Sequence, residues 1–285
     1  MRLATIRHGN RKGLALKEAE GLRVLLEGDD DYPGNLEDIV RAGPTALDAL
    51  AITLSRNGKV LDDAELTFEP PLRDVSKIIC VGLNYFDHTN ESGFAQPDYP
   101  TLFARFPSSL IGQDAPLFLP RLSEQFDYEG ELAVVIGKGG RSISKVSALD
   151  HVLGYAVFND ASLRDYQFKS PQWTAGKNFD GTGAFGPFLV TADELPPGCK
   201  GLTLETRLNG VSVQKARIDE MVFDVATLIE TLSAFMTLEP GDIIVSGTPA
   251  GVGMGRKPPL WMKPGDRVEV EIEQVGLLRN AVVAE

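Results

Sequence analysis

Two carboxylates, Glu129 and Glu131, stand two residues apart at the head of the apolar run Leu132–Ile136. In an extended strand, residues i and i+2 project from one face. The pair would then point together, beside a core that begins at Leu132. Like charges so placed repel and lose hydration unless a cation or protons compensate them. An oxygen-only donor set suits a hard divalent cation, Mg²⁺ or Mn²⁺ with Ca²⁺ as a further option, rather than zinc. An edge strand with its polar face in water carries the same spacing, so the residues around the pair decide between the two. Asp160 ends the strand-like run Gly154–Phe158 and the Asn159 that follows it. From there a carboxylate either caps the next helical residues or completes a metal site.

Other groups with chemical capacity lie on either side. His88 is one of three histidines, and Glu91 follows it at helical spacing, so the carboxylate can set the imidazole's tautomer and basicity. Such a pair is half of a water-activating device, and it is also an ordinary surface contact. Arg164 and Gln167 are three apart and share a helical face. Lys177 sits in a glycine-rich stretch, residues 173–187, whose backbone can thread tightly around a ligand. Gly251-Val-Gly-Met-Gly255 tempts a dinucleotide reading, but Pro258 and Pro259 preclude the helix that such a fold requires there. No phosphate-binding Gly-Lys-Ser/Thr loop and no Gly-x-Ser-x-Gly nucleophile elbow occurs.

The elements that must position these groups read mainly as β. Strand-like pieces fall at Leu3–Ile6, Leu14–Leu16 and Leu22–Leu26, and a Thr45-x-x-Asp48 signature would cap a helix over Ala46–Leu54. Phe68-Glu-Pro-Pro-Leu-Arg73 reads as a linker because two prolines disfavour helix and interior strand. Beyond it, strands are expected at Ile78–Val81, Leu132–Ile136, Tyr155–Phe158, Ile243–Ser246 and Val268–Ile272. Ser147-Ala-Leu-Asp150 can cap a short helix ending near Gly154, and Ala161–Phe168 can form two helical turns. Asn209-Gly210 between Leu204–Leu208 and Val211–Val213 supplies the two positive φ values of a type I′ hairpin turn. Asp224 caps an amphipathic helix carrying Val225, Leu228, Ile229, Leu232 and Phe235. The division is a small α+β domain over residues 1–72 and a mostly β domain over 73–285.

Composition narrows the function classes. The chain has 285 residues, enough for one large core or a large and a small domain. Forty acidic against 28 basic residues give a net charge of −12, which argues against nucleic acid and anionic membrane as partners. No apolar run approaches the ~18–20 residues that cross a bilayer. The N-terminus lacks the apolar stretch of a signal peptide, so a cytoplasmic location is expected. Cys80 and Cys199 are too few and too far apart for a disulfide scaffold or a thiolate metal site.

Seven motifs in order resemble the fumarylacetoacetate hydrolase superfamily, in the branch with a small N-terminal domain. They are Cys80-Val-Gly-Leu-Asn-Tyr-x-x-His88, Tyr128-Glu-Gly-Glu-Leu-Ala-Val-Val-Ile-Gly137, Gly154-Tyr-x-x-x-Asn-Asp160, Arg164-Asp-x-Gln167, Gly176-Lys-Asn-Phe-Asp180, Gly186-Pro187 and Gly247-Thr-Pro-x-Gly-Val-Gly253. The resemblance spans about residues 73–285 and implies a mixed β-sandwich roll and a homodimer. It implies that Glu129, Glu131 and Asp160 bind Mg²⁺ or Mn²⁺, that His88 and Glu91 form an acid/base dyad, and that Lys177 stabilises developing negative charge. Gln167 and Thr248 match positions that touch substrate oxygens, and Arg164 lies in the same motif. Arg105 falls where many relatives carry lysine and is a candidate ligand for a substrate carboxylate.

The implied partner is a small anionic keto acid. The expected reaction is hydrolysis of a 2,4-dioxo acid: the acid chelates the metal through its carboxylate and 2-oxo group, and water activated by Glu91 and His88 attacks C4. The C3–C4 bond then breaks to a pyruvate enolate stabilised by the metal and Lys177. Decarboxylation of an oxaloacetate-like acid and isomerisation of a dienoate reach the same enolate and remain alternatives. A non-catalytic ligand-binding relative is the remote one.

Overall fold

The apolar run after Glu131 becomes the strand Gly130–Ile136, every residue of which is buried. An unbroken apolar strand of this kind belongs in a sheet covered on both faces. In this computed structural model, which describes residues 1–87 and 97–285, that sheet has twelve strands. Gly130–Ile136 pairs antiparallel with Val152–Asp160 on one side and Ile243–Val245 on the other. Ile243–Val245 pairs parallel with Ile78–Gly82, and Thr101–Ala104 closes that edge. On the other side, Gly183–Thr191 lies beside Val152–Asp160.

The sheet then continues into Arg2–His8, through the register Leu3↔Leu189, and on to Arg11–Glu18, Gly21–Leu26 and Lys59–Leu61. A continuous sheet therefore crosses the sequence division at residues 72 and 73. The core crosses it too: Leu3, Leu14, Leu50 and Leu54 pack in one cluster with Ala133, Val135 and Phe185. On the opposite face, Leu132, Val134 and Ile136 meet Leu204, Val270, Ile272 and Leu278 of a five-stranded sheet. Leu228, Ile229 and Leu232 of the helix Val225–Phe235 complete that layer. The fold is the mainly β, mixed-sheet architecture implied by the motifs. Among the described residues, no helix is long and apolar enough to cross a membrane.

Local chemistry explains where expectation and structure agree. Leu208 pairs with Val211 across Asn209 (φ 52°) and Gly210 (φ 78°), the positive pair of a type I′ turn. The Asp224 carboxylate accepts the Thr227 N–H at 2.8 Å and caps its helix.

Four local readings are corrected. Helix Pro44–Asn57 starts one residue before Thr45, with Gly43 as its cap and no side-chain capping bond. Proline is at home in a first turn, where its missing N–H costs nothing. Ser147 lies inside a 3-10 helix, Lys145–His151, rather than capping one. Ala161–Phe168 forms only the single turn Arg164–Gln167, because Leu163 pairs instead with Phe126. Residues 183–187, the end of the glycine-rich stretch that reads as irregular, belong to the central strand Gly183–Thr191. Its Pro187 falls within a register shift, where no ladder N–H is needed.

Candidate metal centre and active site

Glu129 precedes the strand Gly130–Ile136, Glu131 is the second residue of that strand, and Asp160 is the last of the strand beside it. The pairing is held by the Asp160 N–H donating to the Glu129 carbonyl at 2.8 Å, and by the Glu129 N–H donating to Asn159 Oδ1 at 3.1 Å. One carboxylate oxygen from each of Glu129, Glu131 and Asp160 lies within 4.8 Å of the others, and all three residues are buried. The i, i+2 spacing and the end of the neighbouring strand thus meet at one point.

Among the described residues, three buried cations surround this point. Lys177 Nζ donates to Glu129 Oε2 and to Asp160 Oδ2, at 2.6 Å each. It is carried by the one-turn helix Thr174–Lys177. That helix packs so closely on Arg164–Gln167 that a Cβ on Gly176 would lie 2.4 Å from the Gln167 backbone nitrogen. The guanidinium of Arg164 contacts Glu129 Oε1 at 2.6 Å and donates through Nε to Asp127 Oδ2 at 2.9 Å. Arg105 donates to Asp160 Oδ1 and to the Ala161 carbonyl.

Among the described residues, three cations thus face four buried carboxylates: Asp127, Glu129, Glu131 and Asp160. Among the described residues, the ion pairs reach Asp127, Glu129 and Asp160, while Glu131 receives only the Gly247 N–H, at 2.5 Å. Burial pushes the Glu131 carboxyl well above its ordinary range, and the charges of Asp160 and Glu129 push it further. Burial opposes the charge of Lys177, but Asp160 and Glu129 together outweigh it and hold the ammonium above its ordinary value. Arg164 is raised in the same way, by Glu129 and Asp127 against burial. The surplus negative charge, a Glu131 with no ion pair among the described residues and the all-oxygen donor set fit a hard divalent cation held by Glu129, Glu131 and Asp160.

Glu129 and Glu131 of the triad open into a narrow cleft of about 20 Å³. Glu129, Glu131, Arg164, Gln167, Lys177 and Thr248 line it, with Phe103, Phe168, Trp173 and Met254 as an apolar wall. Phe103 and Trp173 meet edge to face at 5.6 Å between centroids. The Thr248 hydroxyl donates to the Gly130 carbonyl at 3.0 Å and accepts from Gln214 Nε2 at 2.8 Å.

Arg105 does not line this cleft. Arg105 is 2 % exposed and its guanidinium is committed to Asp160, Ala161 and Thr182, so it braces a metal-ligand candidate from behind rather than meeting a substrate carboxylate. Asp160 does not cap a helix either; the backbone after it stays extended through Leu163. His88 and Glu91 lie outside the described residues.

Sequence reasoning passed over Asp127, although it repeats the spacing that drew attention to Glu129 and Glu131. It also passed over Gln214 and the aromatic wall, which come from distant parts of the chain and leave no local signal.

Residues 77–283 match the family model described as fumarylacetoacetate (FAA) hydrolase, C-terminal. The chain is 39% identical over 275 residues to the mitochondrial oxaloacetate tautomerase fahd2 of Xenopus laevis, covering 96% of this chain and 86% of that protein. Among solved structures, it resembles fumarylacetoacetate hydrolase from psychrophilic Exiguobacterium antarcticum with a TM-score of 0.86 and 36% identity, all of both chains being covered. It also resembles maleylpyruvate hydrolase from Sphingobium sp. SYK-6, solved in complex with manganese(II) and pyruvate. There the TM-score is 0.81 and the identity 29%, with 100% of this chain and 99% of that one covered.

Proposed function

This chain belongs to the fumarylacetoacetate hydrolase family, and we propose that it is an enzyme that moves a proton at carbon 3 of a 2-oxo acid, interconverting keto and enol forms of an oxaloacetate-like substrate. The observation that carries this reading is the Lys177 ammonium, 2.6 Å from two members of a buried carboxylate triad at the base of a cleft. A Mg²⁺ or Mn²⁺ ion held by Glu129, Glu131 and Asp160 would supply Lewis-acid polarisation of the 2-oxo group.

The chain's own groups supply the rest. The Gln167 amide and Thr248 border the space beside the triad and orient the substrate's carboxylate and oxo oxygens. Lys177 places a fixed positive charge where negative charge grows on the enolate oxygen, and burial strengthens that interaction. His88, tuned by Glu91, takes the C3 proton and returns it; this assignment rests on the sequence motif alone. The relative from Xenopus laevis, named an oxaloacetate tautomerase, supports the choice of reaction.

Hydrolysis of a 2,4-dioxo acid, the preference from sequence, is the second reading. It is favoured by the likeness to a maleylpyruvate hydrolase solved with manganese and pyruvate. The same enolate would then leave when water attacks C4 and the C3–C4 bond breaks.

One assay separates the readings. Protein and Mg²⁺ are mixed with the enol form of oxaloacetate, and the loss of enol absorbance is followed while pyruvate and CO₂ are scored. In parallel, acylpyruvates are scored for pyruvate and carboxylic acid. Accelerated enol loss without pyruvate supports tautomerisation. Acid release from acylpyruvates with no action on oxaloacetate supports hydrolysis, and CO₂ release supports decarboxylation. Inertness toward all of these substrates removes the proposal.

A further inference from the structure

Asp127 is fully buried and accepts four hydrogen bonds. Its Oδ1 takes the N–H groups of Tyr128 (2.9 Å) and Gly253 (2.7 Å), and its Oδ2 takes the Met254 N–H (3.0 Å) and Arg164 Nε (2.9 Å). Gly253 makes this possible: a Cβ there would lie 2.6 Å from Asp127 Oδ1 and 1.9 Å from the Leu260 carbonyl oxygen. A buried carboxylate so fully satisfied is rigid, and it fixes the plane of the guanidinium that it binds.

With Nε fixed on Asp127, Arg164 aims NH1 at Gln167 Oε1, at 2.8 Å, and NH2 at Glu129. Arginine has no acceptor, so it can face only the oxygen end of a side-chain amide. The Gln167 amide is therefore locked with its oxygen toward Arg164. Its NH₂ makes no hydrogen bond among the described residues and is left for the cleft that Gln167 lines.

We propose that Asp127 is a positioning residue that acts through Arg164 to present the Gln167 NH₂ as a fixed donor to an anionic substrate oxygen. The arrangement selects for a ligand that accepts a hydrogen bond at that point, such as a carboxylate or enolate, and against one that donates. This inference rests on the 2-oxo acid reading given above.

The test uses oxalate, which copies the planar carboxylate and enolate oxygens of the reacting end. Its binding is measured by calorimetry at saturating Mg²⁺ for the wild-type protein, Asp127→Asn, Gln167→Ala and the double variant. Each single change is expected to weaken binding about ten- to a hundredfold, the worth of a hydrogen bond to a charged group. The double variant is expected to be no worse than the weaker single one, because both changes remove the same donor. A merely structural role for Asp127 would give losses that multiply, and that result overturns the proposal. Should Asp127→Asn fail to fold, Arg164→Lys is used in the same cycle. It keeps the charge beside Asp127 and Glu129 but lacks the fork that reaches Gln167, so the same non-additivity is expected. Wild-type protein that binds Mg²⁺ but no oxalate overturns the 2-oxo acid reading, and this inference with it. Oxalate binding with multiplicative losses overturns this inference alone.

Discussion

Glu131→Gln should stabilise the protein without metal and destabilise it, relative to wild type, with metal. Glu131 is 2 % exposed and, among the described residues, its carboxylate faces Glu129 and Asp160 with no cation of its own. The glutamine oxygen can still accept the Gly247 N–H, so the substitution removes mainly an uncompensated charge. Such a buried charge costs on the order of 2 kcal/mol after relaxation, below the 3–5 kcal/mol of a fully broken buried pair. With about 2.1 cal/mol/K of unfolding entropy per residue, 285 residues give about 0.6 kcal/mol/K. The variant should therefore melt about 3 °C above wild type in excess chelator. At a metal concentration about 100 times Kd, wild type should gain about 2.7 kcal/mol, or 4 to 5 °C. The variant, short of one ligand, should gain little, and the order of melting should invert.

The pH dependence has a definite sign. A carboxyl whose folded pKa lies above its ordinary value of 4.5 contributes full stability below that value and loses it as pH rises. The advantage of the variant in chelator should thus be absent near pH 4 and widen toward pH 8. Differential scanning fluorimetry over this grid reads all of it. A variant that melts below wild type in chelator, or that gains as much from metal, refutes the reasoning.

Lys177→Met should lower turnover on the active 2-oxo acid by about 10²–10³-fold, the scale of losing one preorganised charge donor, as read by steady-state kinetics at saturating metal. Activity within threefold of wild type would remove Lys177 from the chemistry. Asp224→Ala forfeits the bonds from the Thr227 N–H and hydroxyl and should cost about 1 kcal/mol, close to 2 °C in Tm, with kinetics unchanged. Cys80 and Cys199 are both buried, and burial pushes both thiols up, so neither should react with a thiol reagent at pH 8 until denaturant is added. Rapid labelling of the native protein would show that one of those environments opens.

The residues that define the centre were legible because local rules place them. The i, i+2 spacing of Glu129 and Glu131 and the strand ending at Asp160 need only the pleat and one antiparallel pairing. Asn209-Gly210 and Asp224 were legible for the same reason: turn and cap chemistry act within four residues. What failed depended on partners far away in the chain. Residues 183–187 read as irregular from their glycines and Pro187, yet strands on both sides pull them into the middle of the sheet. Leu163 reads as helical from its neighbours but pairs with Phe126. Arg105 looked like a substrate ligand, whereas burial against Asp160 and Thr182 commits its guanidinium before any substrate arrives. The sequence division near Phe68–Arg73 follows a real pair of prolines, but Arg2–His8 reaches across to Gly183–Thr191 and shares its core.

The central claim is that Glu129, Glu131 and Asp160 together hold a divalent ion on which a 2-oxo acid binds. Anomalous diffraction from crystals grown with Mn²⁺ and oxalate tests it most directly. One strong manganese peak bounded by oxygens of all three carboxylates is expected, with oxalate bound to that ion on the side of Gln167 and Thr248. A peak elsewhere, or a manganese-loaded triad with oxalate bound away from it, would refute the proposed centre.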